Sequence, residues 1–579
     1  MSSKKLNLGT TQDGYSVEID PKTRATHMHI IGSTGEGKSK FMEHMIRWDI
    51  LHNNGLTLID PHGHLTQDII RWAETNNLMS ESRPKKILVF DPHEADWTFG
   101  FNPLKIGSAE IAYHVDAMVQ ACAQVWGGED TDKTPLLKRC LRAVFHVLAE
   151  KNLSLLEALY LISPTDKIVR QYLTQDIADA VIKEQWDTFN SMGLRDFYNE
   201  FGSTLNRLME FLASPIVRSI IGQLINTIDF RQIMDQDYVL LVNLATGDKL
   251  SEDNASLLGT LIVNDLFMRA KGRSKETAIA HPHYLYVDEC ALFINQDIGR
   301  VLDEGRKFGL HLILAHQHLA QLKTAGEAVY HAIMTDAKTK VIFGGLNVDD
   351  AEVMAKQVFL SEIDLQEYKD KVTQPMIMKY VKTILANYSQ GRGLTTSQSV
   401  TVSEGQALTE AETESETVKI AEGLLGEEPV GDLTRTAAQS QARTQSWSRA
   451  ASTVRAQSQD QRWGGAETYQ PLLKERPTTV YTWEEQIKRK MALMVNQPQR
   501  NAIIKLPKKH SEMVETPPVK EGFANDQRVK RFKERCYNLA DFAQPVKEIE
   551  QKLKARQAEL KQKAREQIQG PAEPDDFWE

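Results

Sequence analysis

The segment Gly32-Ser33-Thr34-Gly35-Glu36-Gly37-Lys38-Ser39 constrains this chain more than any other, because GxxxxGK[ST] here sits between a strand-like run, HMHII, and a helix-like one, KFMEHMIRWDILH. Backbone N–H groups converge on a phosphate only where side chains leave room, which the glycines do, and a helix N-terminus adds a dipole that favours anions. In that setting Lys38 reaches the β- and γ-phosphates of a nucleoside triphosphate and Ser39 ligates Mg²⁺. ATP and Mg²⁺ are therefore the expected ligands.

The surroundings suit such a loop. From Thr26 to Phe101 short apolar runs alternate with helix-length stretches, and the pattern returns with YVLLVNL, YLYVDE, LHLILAH and KVIFGG between Tyr238 and Gly345. Short apolar runs separated by one helix length are the mark of buried parallel strands in an α/β sheet. Between Ser108 and Asp229 the strand-like runs vanish and Leu, Ala and Ile recur at helical spacing. The expected organisation is an α/β core in two parts, residues 1–107 and 233–395, interrupted by an all-α domain at 108–232. Residues 396–475 read as a polar linker rich in Ser, Thr, Gln and Glu, and 476–579 as a basic helical region. The thin stripe Val546, Ile549, Leu553 and Leu560 in that last region reads first as a solvated helix face, and second as a docking or DNA-contacting helix.

Composition excludes some classes. The 579 residues carry 69 basic and 78 acidic side chains, a net charge of -9, so the surface as a whole is not a polycation for nucleic acid, and any such contact must be local. The four cysteines, Cys122, Cys140, Cys290 and Cys536, form no CxxC pair and fit a reducing compartment. No apolar run approaches the ~18 residues needed to cross a bilayer, so a cytoplasmic chain with no integral membrane segment is expected. The paired histidines (His27 with His29, His62 with His64, His281 with His283, His311 with His316 and His318) show neither HExxH nor cysteine partners, and read as strand-end or core residues rather than zinc ligands.

Two further segments carry chemistry. The strand Tyr284-Leu285-Tyr286-Val287 ends in Asp288 and Glu289. Beside a phosphate loop, Asp288 is placed to hold the Mg²⁺ and Glu289 to polarise an attacking water, the two carboxylates pointing to opposite sides of an extended backbone. Ahead of the strand LHLILAH stands Arg306, and after it Gln317. An amide at a strand end can sense a γ-phosphate and a loop arginine can reach a neighbour's nucleotide; the same residues also read as a solvated arginine and a plain strand-end glutamine.

The series as a whole, meaning the phosphate loop, LIDPHGH from Leu58, FGFNPL from Phe99, YVDE, and GRKFGLHLILAHQ from Gly305 to Gln317, resembles the FtsK/HerA superfamily of hexameric motors, and within it the TraD/TraG-type coupling ATPases of conjugation and type IV secretion. The resemblance implies a RecA-like P-loop NTPase core with an inserted all-α domain and a helical, partly disordered C-terminal extension. It implies Gly32 to Ser39 as Walker A, Asp288 and Glu289 as Walker B, Gln317 as the motif III sensor, and Arg306 as an arginine finger given in trans. It also implies ATP hydrolysis in a homohexamer that moves DNA through a central channel, with a relaxase or secretion-channel components as partners. Two departures stand out: nothing hydrophobic precedes the first core strand, where membrane-bound members carry transmembrane helices, and the segment after Asp60 ends in His64, where many relatives have an acid. The alternatives are a coupling factor for protein substrates and a ring that organises a partner such as a nuclease.

Overall fold

The computed structural model describes residues 5–80, 85–106, 110–127, 135–294, 302, 304–364, 367–375, 382–386, 396–398, 453–455, 465–469 and 473–569. The chain divides into two compact units, one of residues 1–363 with 484–579 and one of 364–483.

In the larger unit β1 (Leu6–Thr11) and β2 (Ser16–Ile19) form a hairpin, and the short helix α1 (Pro21–Arg24) turns the chain into β3 (Met28–Ile31). There follow α2 (Lys38–Leu51), β4 (Gly55–Asp60), α3 (His64–Thr75), β5 (Ile87–Phe90) and β6 (Trp97–Thr98). Helices then take over: α4 (Ile111–Gly127), α5 (Pro135–Glu150), α6 (Ala158–Ile162), α7 (Lys167–Thr174), α8 (Ala180–Ser191), α9 (Leu194–Ala213), α10 (Pro215–Ile221) and α11 (Phe230–Asp235). The sheet resumes with β7 (Val239–Asn243), α12 (Glu252–Lys271), α13 (Lys275–Ala280), β8 (His283–Val287), β9 (Leu310–His316), α14 (Leu319–Ala325), α15 (Glu327–Asp336), β10 (Thr339–Phe343) and α16 (Val348–Phe359).

Seven strands, in the order β10-β3-β9-β8-β4-β7-β5, run parallel. All seven are buried along their whole length, which is why they read as short uninterrupted apolar runs. From β3 the chain passes through α2 and enters β4, three places away, so a crevice opens beside β3 at the carboxyl ends of the strands. This is the expected α/β core with its inserted helices.

Four further strands, not expected from the sequence, complete the sheet. After α17 (Trp483–Val495), β17 (Asn501–Lys505) pairs antiparallel with β10, turns into β18 (Ser511–Glu515), and β18 pairs with β1. The sheet thus has eleven strands, and the C-terminal region, expected to be helical, supplies two of them.

The rest of that region is strapped to the same unit. Helix α18 (Asp526–Tyr537) buries Phe532, Cys536 and Tyr537, with Lys533 bonded to Asp91 at 2.6 Å and to Glu94 at 2.8 Å. The two-residue strand β19 (Gln544–Pro545) pairs with β6, and α19 (Val546–Gln569) lies on the inserted helices. Ile549 and Leu553 pack on Leu156, and Arg556 donates to Glu157 Oε1 at 2.7 Å and to Gly222 O at 2.7 Å. The apolar stripe expected to be a solvated face is therefore a docked one, its partner lying within the same chain.

The smaller unit is built of antiparallel pairs: β11 (Tyr368–Pro375) with β16 (Leu473–Val480), β12 (Lys382–Ala386) with β15 (Gly465–Tyr469), and β13 (Thr396–Gln398) with β14 (Thr453–Arg455). The expected polar linker at 396–475 lies largely outside the described residues; its described parts are strands.

Seven of the described histidines of the larger unit are buried, and in five of them, His27, His29, His283, His311 and His316, burial acts strongly on the ring. His29 Nε2 meets His316 Nε2 at 2.6 Å with the rings stacked, His283 bonds Thr57 at 2.9 Å, and His27 accepts from Leu312 N at 3.0 Å. Burial pushes His27 down to about 4 and His283, His311 and His316 down to about 3, and holds His29 well below the ordinary imidazole range. Lowered folded-state pKa values mean that the unfolded chain takes up these protons first, so stability falls as pH drops below about 6.5, by about 1 kcal/mol per unit for each histidine. Asp288, raised to about 6, acts in the opposite sense but is a single group. Thermal melting followed from pH 7.5 to pH 5 should show a steep decline setting in near pH 6.5; a flat or rising melting temperature over that interval would contradict this burial.

Candidate functional site

Strand β3 delivers the chain into a loop whose shape depends on glycine. Gly35 and Gly37 have φ of +86° and +115°, in the left-handed region, and a Cβ on Gly32 would lie 2.5 Å from Phe343 Cβ of β10. At the first turn of α2, Lys38 folds back to donate from Nζ to Gly32 O at 2.5 Å and to Ser33 O at 3.1 Å. Burial lowers its pKa, partly offset by Glu289, Asp288 and Glu36.

Strand β8 brings the acids to the loop. Asp288 is buried, and burial together with Asp60 and Glu289 raises its pKa to about 6, against the pull of Lys38. Ser39 Oγ lies 3.5 Å from Asp288 Oδ2. A hydroxyl beside a carboxylate crowded by like charge is a hard-oxygen pair suited to Mg²⁺, and a bound cation would relieve the repulsion that raises Asp288.

Glu289 departs from the expected alternation. The strand ends at Val287, and Glu289 takes φ +45° and ψ +52°, so it does not extend the strand to the opposite face. Its Oε1 instead accepts from Gln317 Nε2 at 2.8 Å. Gln317 Oε1 in turn accepts from Thr34 Oγ1 at 3.0 Å, so one amide at the end of β9 joins the phosphate loop to the acidic pair. Gln321 of α14, which the motif series does not contain, donates to Glu289 Oε2 at 3.5 Å and accepts from the backbone of Gln317 and His318.

Asp60 is also missed by role, although its segment is distinctive. It ends β4 and spends both oxygens on its own turn, accepting from His62 N, Gly63 N and Thr66 N at 2.8 to 3.0 Å, while adding negative charge next to Asp288.

Gly32, Ser33, Thr34, Gly35, Glu36, Gly37, Lys38, Ser39, Asp288, Glu289 and Gln317 are thus brought together. Arg306 is not among them. It is exposed in the turn Gly305–Phe308 ahead of β9, whereas Gln317 follows β9, so seven residues of strand, roughly 23 Å, separate it from its own chain's loop.

Behind the site a buried ion pair ties its two halves. Arg24 of α1 donates to Asp49 of α2 at 2.7 and 2.8 Å and to Tyr286 OH of β8 at 2.9 Å, and Tyr286 OH donates to Asp49 Oδ2 at 2.5 Å. The guanidinium lies 3.8 Å from the Tyr284 ring centre. Burial works against its charge and Asp49 more than restores it, leaving its pKa raised.

Two family models match the chain. The model described as helicase HerA, central domain, covers residues 6–243, and the one described as the TraM recognition site of TraD and TraG covers 282–412. In these segments the chain is similar to the FtsK/HerA superfamily of P-loop ATPases and, within it, to the TraD/TraG-type coupling proteins. Among solved structures it is similar to the bacterial conjugative coupling protein TrwBdeltaN70, at 13% identity and TM-score 0.47 over 90% of this chain and 91% of that one. It is similar also to plasmid coupling protein TrwB in complex with ADP and Mg²⁺, at 13% and 0.47 over 91% and 93%, and to VirB4 of Thermoanaerobacter pseudethanolicus, at 14% and 0.35 over 62% and 90%. No curated protein matches. Among the described residues no helix is long and apolar enough to cross a membrane.

Removing one partner of a buried ion pair strands the other charge. Asp49→Ala should therefore cost about 3–5 kcal/mol in urea unfolding, and a cost under about 1 kcal/mol would show that the pair does not hold the site together.

Proposed function

We propose that this chain is the subunit of a homohexameric motor that hydrolyses ATP with Mg²⁺ and moves DNA through its central channel in conjugative or mobile-element transfer. The observation that carries the ATPase part is the Gln317 bridge: an amide bonded at once to Thr34 of the phosphate loop and to Glu289 links γ-phosphate sensing to the base. The backbone of Gly32 to Gly37 cradles the phosphates, and Lys38 leaves Gly32 O and Ser33 O to meet them. Glu289 polarises the attacking water and accepts its proton as the O–H bond breaks. Ser39 and Asp288 would hold Mg²⁺, whose charge neutralises the β- and γ-phosphate oxygens. Arg306 serves the nucleotide of the neighbouring subunit; its distance from its own loop supports a role in trans.

DNA as cargo is supported by the matches to the HerA domain and to the TraD/TraG segment, and the overall charge of -9 suits a ring that is acidic outside and basic along its channel. The second match also favours a docking partner around residues 282–412, of relaxase or secretion-channel kind. The HerA match supports a second reading, a ring that organises a partner such as a nuclease and turns over slowly.

Steady-state ATPase activity, measured with and without linear double-stranded and single-stranded DNA at low and moderate salt, tests the proposal. Strong stimulation that weakens with salt is expected; a hexamer indifferent to both DNAs would move the assignment to the second reading. Lys38→Ala should abolish nucleotide binding or hydrolysis, and Glu289→Gln should bind ATP without turning it over. Arg306→Ala should lose roughly 10³-fold or more in turnover and regain activity when mixed with Lys38→Ala subunits. Full activity in Glu289→Gln would sink the site assignment, and full activity in Arg306→Ala would remove that residue from it.

A further inference from the structure

The phosphate loop has an outer side that no motif accounts for. The turn between α17 and β17 runs along it, 464 residues away in sequence at the closest side-chain contact: Gln499 Nε2 donates to Gly35 O at 2.7 Å, and Arg500 N donates to Glu36 O at 3.0 Å. The approach is close enough that the Cα of Arg500 lies 3.5 Å from where a Cβ on Gly37 would stand.

These bonds act on the loop's donors through peptide geometry. In a trans peptide the C=O of one residue and the N–H of the next lie in one plane and point in opposite directions. Holding Gly35 O and Glu36 O on the outer side therefore aims the N–H groups of Glu36 and Gly37 the other way, into the concavity where a phosphate would sit. Glu36 N donates to Ser33 O at 3.5 Å, a hydrogen bond at the limit of length and so a weak competitor for that N–H.

The turn is itself anchored. Arg500 adopts φ +67°, and its carbonyl accepts from Thr516 N at 2.8 Å and from Thr516 Oγ1 at 2.9 Å. Gln497 is buried and donates to Ile342 O at 3.2 Å, while Gly345 N donates to Val495 O at 3.2 Å. Gly344 leaves room for this contact, since a Cβ there would lie 2.8 Å from Gln497 O.

We propose that the turn Gln497 to Arg500 is a brace that preorganises the phosphate loop, with Gln499 its positioning residue, so that the C-terminal region sets nucleotide affinity. The inference rests on the nucleotide-binding reading above and adds to it a residue outside the P-loop motifs. Gln499 is exposed and touches no reacting atom, so its side chain can be changed without opening the core.

The test is equilibrium binding of a fluorescent ATP analogue with Mg²⁺ to the full chain, as wild type, Lys38→Ala, Gln499→Ala and Gln499→Glu. Gln499→Ala removes the donor and should weaken binding about three- to tenfold, the value of one neutral hydrogen bond. Gln499→Glu keeps the size but sets a carboxylate against Gly35 O, and should weaken binding further than alanine does. In turnover the loss should fall mainly on KM, with melting temperatures unchanged in both variants. Wild-type affinity in Gln499→Glu, while Lys38→Ala fails to bind, would overturn the brace alone. Affinity losses that track lowered melting temperatures would reduce Gln499 to a fold-stabilising role and also overturn it. A wild-type chain that binds no nucleotide would overturn the nucleotide reading, and the brace with it.

Discussion

The bond between Arg24 and Asp49 is the interaction on which the rest of this structure depends. It joins the turn entering β3, the helix that leaves the phosphate loop, and, through Tyr286, the strand that carries Asp288 and Glu289. An ion pair taken out of water is kept only when its geometry is good and its remaining hydrogen-bonding capacity is met. Here the guanidinium spans both carboxylate oxygens, stacks on Tyr284 and donates to a phenol that itself donates to the same acid. The loop and the acids are thereby referred to a common point, and Gln317 closes the arrangement on the solvent side.

The second constraint is that the sheet is not finished until the chain has nearly ended. Strands β17 and β18 fill the interval between β10 and β1, so within the sheet the N-terminal hairpin is joined to the parallel strands through the C-terminal region. The same region covers β5 with α18 and lays α19 across the inserted helices, where Arg556 meets Glu157. Phosphate loop, sheet edge and inserted domain therefore share one structural tie, and the turn at Gln499 is where that tie meets the loop at Gly35.

How much of this could be read from the sequence depends on burial. The seven parallel strands were legible because strands buried on both faces become apolar runs, and the helices between β6 and β7 because their apolar residues recur at helical spacing. The strands Leu6–Thr11, Ser16–Ile19, Asn501–Lys505 and Ser511–Glu515 were not: three of them mix polar residues among few apolar ones, and the apolar run of the other, Ala502 to Ile504, is only three residues long. Lys38, Asp288, Glu289 and Gln317 were legible because the loop motif and strand ends mark them. The opposed orientation expected of Asp288 and Glu289 fails, since alternation holds only while the backbone stays extended and Glu289 leaves it. Nothing local marks Gln499, because a contact across 464 residues leaves no spacing to read. The stripe Val546, Ile549, Leu553 and Leu560 was visible, but its partner at Leu156 was not, so a solvated face was the favoured reading.

Whether ATP hydrolysis moves this protein along DNA decides the motor assignment. The most direct measurement is displacement of a third strand from a triplex at one end of a linear duplex, with the full chain and Mg²⁺, comparing ATP with a non-hydrolysable analogue. Displacement that requires ATP and lags in proportion to the length of duplex between entry and triplex is the predicted result. ATP hydrolysis by an assembled ring with no displacement on any duplex length would contradict the motor and leave a ring that uses its nucleotide for another purpose.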